Sequence, residues 1–354
     1  MATDRLLEAR AKRPEEEALN WALRPTHLGE YIGQVDLIER LSIAVQAAKA
    51  RNEPLEHALF HGPPGLGKTT LAHVIAKEMG SRLVVTSGPV LAKGTDLVAA
   101  LSSLGPRDVL FIDEIHRLPI AVEEFIYPAM EDFRIDVQVD SGVSARTVQI
   151  KCKPFTLIGA TTRAGLLSAP LRSRFGMSHH LKFYPVEELL HIVRRSATML
   201  NMSASASGQF EDGLRAIAER ARGTPRIANR LLRRVRDFAH VKAKGELSAR
   251  VVGDALALEG VDELGLDELD RAYLTTIATT YSGGPVGLET VAATMSEDAG
   301  TLEDVVEPYL LQIGFVARTR RGRAMTKAAA DHLGMKWKPS EELRLLVGEG
   351  LTQG

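Results

Sequence analysis

From Leu55 to Tyr184, short apolar runs alternate with longer stretches in which apolar residues recur at helical spacing. The apolar runs are HALF, RLVVT, DVLFID and FTLIGATT, and the helical stretches are TLAHVIAKEM, DLVAALSSL and AVEEFIYPAM. Strands that alternate with helices are typical of folds in which helices cover a parallel sheet. The pattern therefore predicts an α/β fold for this part of the chain.

One segment breaks this alternation. The string FRIDVQVDSGVSARTVQIK alternates apolar and polar residues on both sides of a Ser-Gly pair, which predicts a β-hairpin that projects from the sheet. Its apolar side chains Ile135, Val137, Val139 and Val148 are expected to be partly exposed unless another surface covers them. The alternative is an edge that loops of the same chain protect.

After Pro185 the pattern predicts helices only. The strings VEELLHIVRRSATML, DGLRAIAERAR and PRIANRLLRRVRDFAHVKA have helical spacing, and SASASGQ between the first two is predicted to be a loop. From Val186 to Ala257 there are 13 Lys and Arg against 8 Asp and Glu, a net charge of +5. We interpret residues 185–257 as a small, basic, helical domain.

The last part of the chain has the pattern of a winged helix. Three helical strings, LDELDRAYLTTIATTY, LETVAATM and LEDVVEPYLLQIG, precede two short strands around RTRRGR and a closing helix. From Leu258 to Gly354 there are 9 basic and 16 acidic residues, a net charge of −7. The predicted domains are thus 1–184, a large α/β domain, 185–257, the small helical domain, and 258–354, a winged-helix head with RTRRGR at the tip of the wing.

Composition narrows the function classes only slightly. A chain of 354 residues with 45% hydrophobic and 25% charged residues and a net charge of −1 is ordinary for a soluble protein, so any nucleic-acid surface must be local. The single cysteine, Cys152, excludes an internal disulfide framework, and the histidines, including His179 and His180, lack metal-ligand spacing. The charged start MATDRLLEARAKRPEEE and the absence of a long apolar run favour a cytoplasmic protein without membrane contact.

The string GPPGLGKT has the form of a phosphate-binding loop. It lies between a predicted strand and a predicted helix, where backbone N–H groups at a helix N-terminus can cradle phosphate. In this motif Lys68 reaches the β and γ phosphates and Thr69 binds Mg²⁺; the alternative is an incidental glycine-rich turn. The residues predicted to bind ATP here are Gly62, Gly65, Gly67, Lys68, Thr69 and Thr70.

Two adjacent carboxylates follow the apolar strand VLFI. Asp113 is predicted to join the Mg²⁺ shell, and Glu114 to polarise the attacking water. The alternative is that both acids merely end the strand and cap the next helix. Together with the glycine-rich loop, the pair favours ATP hydrolysis over nucleotide binding alone.

Longer strings resemble one family. GPPGLGKTTLA, DVLFIDEIHRL, PAMED, FTLIGATTRAG, SAPLRSRFG and RGTPRIANRLLRRVRDFA resemble the AAA+ ATPases, and within them the RuvB family of bacterial branch-migration motors. The resemblance runs from about Ala22 to His332. The loop SASASGQF looks longer than is usual in the family, and the tail after Leu333 is not diagnostic.

The resemblance implies an ATP-dependent DNA translocase or helicase that needs ATP and Mg²⁺. Such a motor drives Holliday-junction branch migration in homologous recombination and DNA repair, as a homo-hexameric ring on double-stranded DNA. It implies a RuvA-type junction-binding partner that docks on the hairpin between Arg134 and Ile150, and it leaves room for a RuvC-type resolvase.

The resemblance also assigns roles to single residues. Thr161 is similar to sensor 1, with a buried strand-end threonine as the alternative. Arg174 is similar to the arginine finger that enters a neighbour's site, with Arg172 as a rival and a helix C-terminal arginine as the alternative. Thr224 is predicted to be a helix N-cap, with Pro225 in the first turn, and Arg226 follows them. Arg226 is similar to sensor 2: a cation at a helix N-terminus opposes the helix dipole, and a facing phosphate would explain its position.

Other residues carry weaker assignments. Arg230, Arg233, Arg234 and Arg236 on the same helix are interpreted as a solvated or intersubunit face. Nucleotide contacts assigned by resemblance alone are Leu23, Arg24, Glu131, Asp132, Phe133 and Tyr184.

RTRRGR places four arginines in six residues on a glycine-containing turn. The helix before it, TLEDVVEPYLLQ, carries three acids and no basic residue, so that helix should be repelled by phosphates. The segment contains no Asn, Gln or aromatic residue that could recognise or stack on bases. Its arginines are therefore predicted to contact phosphates rather than bases. By resemblance Arg318 and Arg323 are the DNA-contacting pair; the alternative is a solvated basic hairpin.

Two other classes of protein remain as alternatives. A replication initiator or transcription regulator would need a basic, Asn- or Gln-bearing recognition helix. A clamp loader or protein remodeller would have no need of the arginine tip.

Overall fold

A computed structural model describes residues 21–138, 147–202 and 208–337. The described residues up to Tyr184 belong to one compact unit, and those from Pro185 onward to another. The charged start of the chain, Val139 with the Ser-Gly turn of the hairpin, residues 203–207 of the predicted loop and the tail after Trp337 lie outside the described residues. Among the described residues, no helix is long and apolar enough to cross a membrane.

The first unit is built on a parallel sheet. Its strands are β1 (Ala58–His61), β2 (Leu83–Ser87), β3 (Val109–Asp113), β6 (Thr156–Thr161) and β7 (Met177–His180), with β4 (Arg134–Gln138) and β5 (Thr147–Lys151) forming a separate hairpin. The five strands are ordered β2-β3-β6-β1-β7, and all their pairings are parallel. The predicted parallel sheet is confirmed. The edge strand β7 was not predicted, because MSHH contains a single apolar residue.

Helices cover this sheet. They are α1 (Val35–Arg51), α2 (Lys68–Met79), α3 (Gly94–Ser102), α4 (Ile120–Asp132) and α5 (Ala169–Ser173), with short 3₁₀ turns at Leu28–Glu30, Ile115–Arg117 and Ala164–Leu166. Apolar side chains of α3 and α4 pack on β3 and β6, as in the contact cluster that contains Leu97, Ile126, Ile112 and Leu157. The central strands of the sheet are therefore buried, and residues at the ends of these strands are held in fixed positions.

The hairpin is antiparallel, with Ile135 opposite Ile150 and Val137 opposite Val148. The start of β4 is packed into the core, where Ile135 is 0% exposed. The prediction that Ile135 is partly exposed is therefore wrong. The physical reason is that β4 follows α4 after a single residue, Phe133, which holds the first strand against the helix. Val148 and Ile150 are exposed, at 46% and 37%.

The second unit begins with four helices, α6 (Val186–Met199), α7 (Gln209–Glu219), α8 (Pro225–Lys242) and α9 (Ala249–Leu258). Helix α8 packs against the other three. Because several of its faces are covered, Arg230 and Arg233 are only 6% and 7% exposed, and the prediction of a solvated face is wrong for both. Arg234 is exposed, in keeping with that prediction.

The winged helix follows. It contains α10 (Glu268–Thr280), α11 (Leu288–Met295), a third helix made of α12 (Ala299–Thr301), a π-helical turn (Leu302–Val306) and α13 (Glu307–Gln312), then β8 (Val316–Thr319), β9 (Gly322–Met325) and α14 (Lys327–His332). Tyr273, Leu274 and Ile277 of α10 pack with Leu310 of α13 in its core. The predicted order of helices and strands is confirmed.

A buried ion pair joins the four-helix part to the winged helix. Arg222, 3% exposed, pairs through its guanidinium with Asp270, 0% exposed, at the start of α10. Its Nε donates to the carbonyl oxygen of Gly265 at 2.6 Å. The guanidinium also lies over the ring of Tyr309, with its carbon 5.1 Å from the ring centre. Both charges are therefore compensated inside the unit.

Loss of one of these charges should destabilise the winged helix. In the Asp270→Asn variant a buried guanidinium loses its counter-ion, which costs about 3–5 kcal/mol of unfolding free energy. Trp337 packs against the core of the winged helix, so its fluorescence during urea unfolding of a Trp21→Phe background measures the change.

The matched control is Asp254→Asn, which makes the same chemical change in an exposed pair with Arg250. Removal of an exposed pair is expected to cost less than about 1 kcal/mol. Equal shifts for the two variants would contradict a stabilising role for the buried pair.

Candidate nucleotide and nucleic-acid sites

The glycine-rich loop connects β1 to the N-terminus of α2 with backbone conformations that only glycine adopts readily. Gly62, Gly65 and Gly67 have φ angles of 135°, 80° and 102°. A Cβ on Gly67 would lie 2.4 Å from the hydroxyl of Tyr31, and one on Gly62 would lie 2.6 Å from the carbonyl oxygen of Leu181. The loop can therefore present its backbone closely to a ligand only while these positions stay glycine.

Lys68 lies inside this loop. It is 8% exposed, and its Nζ donates to the carbonyl oxygens of Gly62 and Pro63 at 2.7 and 2.8 Å. These bonds hold the ammonium group at the mouth of the loop, where the first N–H groups of α2 lack intrahelical acceptors. A buried cation beside such donors makes a pocket for a polyphosphate.

The predicted acidic pair lies at the carboxyl end of β3. The backbone N–H of Gly88 donates to the carbonyl oxygen of Asp113 at 2.8 Å, and the N–H of Glu114 donates to Oδ1 of Asp113 at 2.9 Å. Glu114 has a left-handed backbone with φ of 47°, a conformation that is costly for a residue with a side chain and is enriched at functional sites. Its Oε2 lies 2.9 Å from Nη1 of Arg117.

Thr161 ends β6 next to the loop. The N–H of Gly62 donates to its carbonyl oxygen at 3.2 Å, and its Oγ1 lies 2.8 Å from Nδ1 of His116. The N–H of Arg163 donates to the same Oγ1 at 2.9 Å, so the hydroxyl proton can point toward His116. Thr161 is thus linked both to the phosphate-binding loop and to the turn that follows Glu114.

Of the nucleotide contacts assigned by resemblance alone, Tyr184 lies beside the phosphate-binding loop. The Tyr184 hydroxyl donates to the hydroxyl of Tyr31 at 3.3 Å and lies 3.4 Å from the carbonyl oxygen of Leu66. Burial, which outweighs the hydrogen bond from Tyr184 and the charge of Arg24, raises the pKa of Tyr31 to about 12. The side chain of Leu23 is buried.

Arg24 is placed near α2 through aromatic contacts. Its guanidinium carbon lies 3.7 Å from the centre of the Trp21 ring, and that ring meets the ring of His73 at 4.2 Å. Nδ1 of His73 lies 2.9 Å from the carbonyl oxygen of Thr69. Burial lowers the pKa of His73, and the charge of Arg24 lowers it further.

Arg174 lies at the end of α5. Its Nη1 donates to the carbonyl oxygen of Pro170 at 2.7 Å, its guanidinium carbon lies 4.3 Å from the centre of the Tyr127 ring, and its Nε lies 3.1 Å from Oε1 of Glu131. The structure thus brings two predicted site residues, Arg174 and Glu131, into contact within one chain. Asp132 ends α4 and Phe133 follows with a φ of 52°.

The start of α8 agrees with the predicted helix boundary. Thr224 is the N-cap residue and Pro225 the first helical residue, which places Arg226 in the first turn. The Thr224 hydroxyl donates to the carbonyl oxygen of Arg222 at 3.1 Å and makes no cap bond.

The RTRRGR segment differs from a simple basic tip. Only Arg320 and Arg321 lie in the turn; Arg318 on β8 and Arg323 on β9 are directly opposite each other in the strand register. Both donate to the carboxylate of Glu307, which is 0% exposed: Arg318 through Nη2 at 2.6 Å and Arg323 through Nε at 2.7 Å. Burial alone would raise the pKa of Glu307, but the hydrogen bonds from Arg323, Tyr273 and Arg318 hold it below its ordinary value.

The oxygen donors near the loop fit Mg²⁺. Asp113 supplies a carboxylate and Thr69 a hydroxyl, both on partly exposed residues, and hard oxygen ligands with room for water and phosphate are what Mg²⁺ prefers. Among the described residues there is no cluster of three or more His, Cys, Asp or Glu side chains that would hold a metal without a substrate.

Sequence reasoning missed several residues of these sites. His116 and Arg117 lie in the string DEIHRL, where their closeness to Glu114 was a usable signal. Tyr31, Tyr127 and Glu307 gave no local signal, because each acts on a residue that is distant in sequence.

Comparison with known proteins gives matches over most of the chain. Residues 23–181 match the model of the Holliday junction DNA helicase RuvB P-loop domain, residues 184–262 the RuvB AAA lid domain, and residues 263–334 the RuvB C-terminal winged helix domain. Among solved structures, one described as the Thermotoga maritima RuvB Holliday junction branch migration motor is 50% identical, with a TM-score of 0.80 over 89% of this chain and 99% of that one.

A mutant of Thermotoga maritima RuvB is also 50% identical, with a TM-score of 0.82 over 89% of this chain and 99% of that one. The three matched ranges follow the order of the sheet unit, the four helices and the winged helix along the chain. This chain therefore belongs to the RuvB family of Holliday junction DNA helicases.

Proposed function

We propose that the chain is the motor subunit of a homo-hexameric ring that encircles duplex DNA and drives branch migration of Holliday junctions. As a RuvB-family P-loop ATPase it uses ATP and Mg²⁺. The proposed working domains are 1–184, 185–257 and 258–354. The observation that carries the proposal is that one chain combines a phosphate-binding loop and acidic pair with a wing that presents paired arginines.

In the proposed mechanism, the backbone of the loop and Lys68 hold the triphosphate. Thr69 and Asp113 would hold Mg²⁺, which neutralises charge on the β and γ phosphates when bound. Glu114, which is partly exposed just after β3, would orient and deprotonate the attacking water. Thr161 lies at the neighbouring strand end, so its hydroxyl can respond to the γ phosphate and pass that response to His116.

Arg174 would act on the nucleotide of the neighbouring subunit. The contacts with Tyr127 and Glu131 fix the guanidinium at the surface of the first unit, at the end of a helix that is itself anchored. Ser168 caps that helix by accepting from the N–H of Leu171 at 3.2 Å, and its hydroxyl donates to Glu123 at 2.6 Å. A rigidly held arginine can neutralise charge in a partner's site without a large loss of side-chain entropy.

Two finer parts of the proposal concern partners and location. A RuvA-type junction-binding protein would dock on the hairpin, where Val148 and Ile150 leave apolar surface exposed. The cell compartment would be the cytoplasm, which agrees with the single cysteine. A sequence-reading regulator is disfavoured, because the helix before the wing carries Glu303 and Asp304 and no basic residue.

The Glu114→Gln variant should bind ATP and fail to hydrolyse it. Loss of the general base lowers the hydrolysis rate by about 10²–10⁴-fold while the loop and Lys68 stay intact. The measurement is ATP-driven dissociation of a synthetic four-way junction, with and without a RuvA-type partner, together with nucleotide affinity. Lys68→Ala is the contrasting variant, which should lose nucleotide affinity. Activity retained by the Glu114 variant, or equal activity on a linear duplex, would contradict the proposal.

Arg174→Ala should abolish ATP hydrolysis, and mixing it with a second inactive variant should restore part of the activity. An arginine finger contributes about 10³–10⁵ to the rate, so each homogeneous variant, Arg174→Ala or Glu114→Gln, is expected to be inactive. In mixed rings some interfaces carry an intact Arg174 opposite an intact Glu114, and ATPase activity should reappear. Mixtures that stay inactive at every ratio would argue that Arg174 acts within its own subunit.

The Arg318→Ala/Arg323→Ala double variant should bind DNA more weakly, and by the same factor for DNA of any sequence. Two lost phosphate contacts lower the slope of log affinity against log salt concentration by about 2. The matched control, Arg215→Ala/Arg250→Ala, removes the same charge from the lid and is expected to keep the slope. DNA-stimulated ATPase that survives the wing variant unchanged would show that the wing is not the DNA contact.

A further inference from the structure

The wing arginines are not independent cations. Glu307, at the start of α13, accepts from both guanidiniums: Nε and Nη2 of Arg318 lie 3.2 and 2.6 Å from its Oε2, and Nε and Nη2 of Arg323 lie 2.7 Å from Oε1 and 3.3 Å from Oε2. The hydroxyl of Tyr273 donates to Oε1 at 2.6 Å. One carboxylate therefore receives three side-chain donors from α10, β8 and β9.

The carboxylate is buried while its partners reach the surface. The Glu307 side chain is 0% exposed, Arg323 is 19% exposed and Arg318 is 48% exposed. The bonds to Glu307 use Nε and Nη2 of each guanidinium, so Nη1 of each carries donors that these bonds do not use. Two guanidiniums on neighbouring strands repel each other, and their attraction to the shared carboxylate offsets that repulsion.

These contacts allow two opposite roles for Glu307. It either competes with DNA phosphates for the arginines, or it holds the arginines in the orientation that phosphates meet. Burial decides between them, because a carboxylate without exposure that lost both arginines would be left charged inside the core, which is strongly unfavourable. The arginines should therefore stay bonded to Glu307 when DNA arrives.

We propose that Glu307 is a positioning residue for DNA binding, which fixes Arg318 and Arg323 as a rigid two-pronged clamp for backbone phosphate. The clamp presents the unused edges of two guanidiniums at a fixed spacing, and little side-chain entropy remains to be lost on binding. This inference rests on the proposed contact of the two arginines with DNA.

The Glu307→Gln variant tests the inference, because positioning predicts weaker DNA binding and net charge alone predicts tighter DNA binding. The substitution makes the wing more positive by one charge, yet the neutral amide cannot hold two guanidiniums together. We expect affinity for a labelled linear duplex of mixed sequence to fall by about tenfold, and the salt slope to fall by about 1, despite the added positive charge. Fluorescence anisotropy of the full chain at several salt concentrations measures both.

Glu289→Gln is the charge-matched control, since Glu289 is exposed on α11 of the same winged helix. It should leave affinity unchanged or slightly raise it. Tighter or unchanged DNA binding by Glu307→Gln would overturn the inference, because it would mean that Glu307 competes with DNA or does not influence it.

A double-mutant cycle separates positioning from a merely structural role. In the Arg318→Ala/Arg323→Ala background the unpaired Glu307 lowers stability, so Glu307→Gln should raise the free energy of unfolding there. It should have no further effect on the DNA affinity of the folded protein, because the residues through which it acts are gone. An equal loss in both backgrounds would overturn the inference. If the double-alanine variant itself binds DNA normally, the proposed wing contact fails, and this outcome is distinct from a failure of Glu307 alone.

Trp337 fluorescence shows whether each variant is folded at the assay temperature. Should Glu307→Gln be unfolded there, Tyr273→Phe takes its place in the cycle, since it removes one bond that fixes the carboxylate and keeps both arginine pairs. It is expected to lower affinity by about twofold in the wild-type arginine background and not at all in the double-alanine background. Equal effects in the two backgrounds would overturn the inference.

Discussion

The parallel pairing of β1, β3 and β6 is the constraint on which the nucleotide site depends. The register places Ile112 beside Gly159 and His61 beside Thr161, so the three strands end at one edge of the sheet. Asp113 and Thr161 leave the sheet there, and the phosphate-binding loop starts there, because parallel strands share the position of their carboxyl ends. Packing of apolar strands, more than contacts among polar groups, thus fixes where the polar groups meet.

The sequence predicts those parts of the fold in which the deciding residues are neighbours along the chain. Strand, glycine-rich turn and helix are contiguous around Lys68, so local pattern was sufficient for the loop and for the acidic pair. It was not sufficient for β7, whose string MSHH becomes a strand only because β1 offers it an edge. Ile135 and Arg230 were misjudged for the same reason, since the helices and core that bury them lie elsewhere in the sequence.

In the second unit, helix α10 makes two buried polar contacts. Asp270 and Tyr273 lie one turn apart on α10; the first pairs with Arg222, and the second donates to Glu307. Tyr309, two residues after Glu307, lies under the guanidinium of Arg222. Arg222, just before α8, thus contacts both α10 and α13, and the same two helices supply Tyr273 and Glu307, which hold the wing arginines. Polar networks whose members are bonded in this way make a structure rigid, and we expect the lid and the winged helix to move together.

Charge also underlies the proposal that the wing is the surface of the winged helix that meets DNA. From Leu258 onward the chain carries a net charge of −7, and the helix that enters the major groove in many winged helices here contains Glu303 and Asp304. Those acids would repel phosphates, whereas the arginines of the described winged helix are concentrated on β8, β9 and the turn between them. Contact limited to a narrow cationic hairpin cannot read a row of bases, whereas it can grip any phosphate that passes. An acidic winged helix with a basic wing is therefore suited to a motor that must travel along DNA of every sequence.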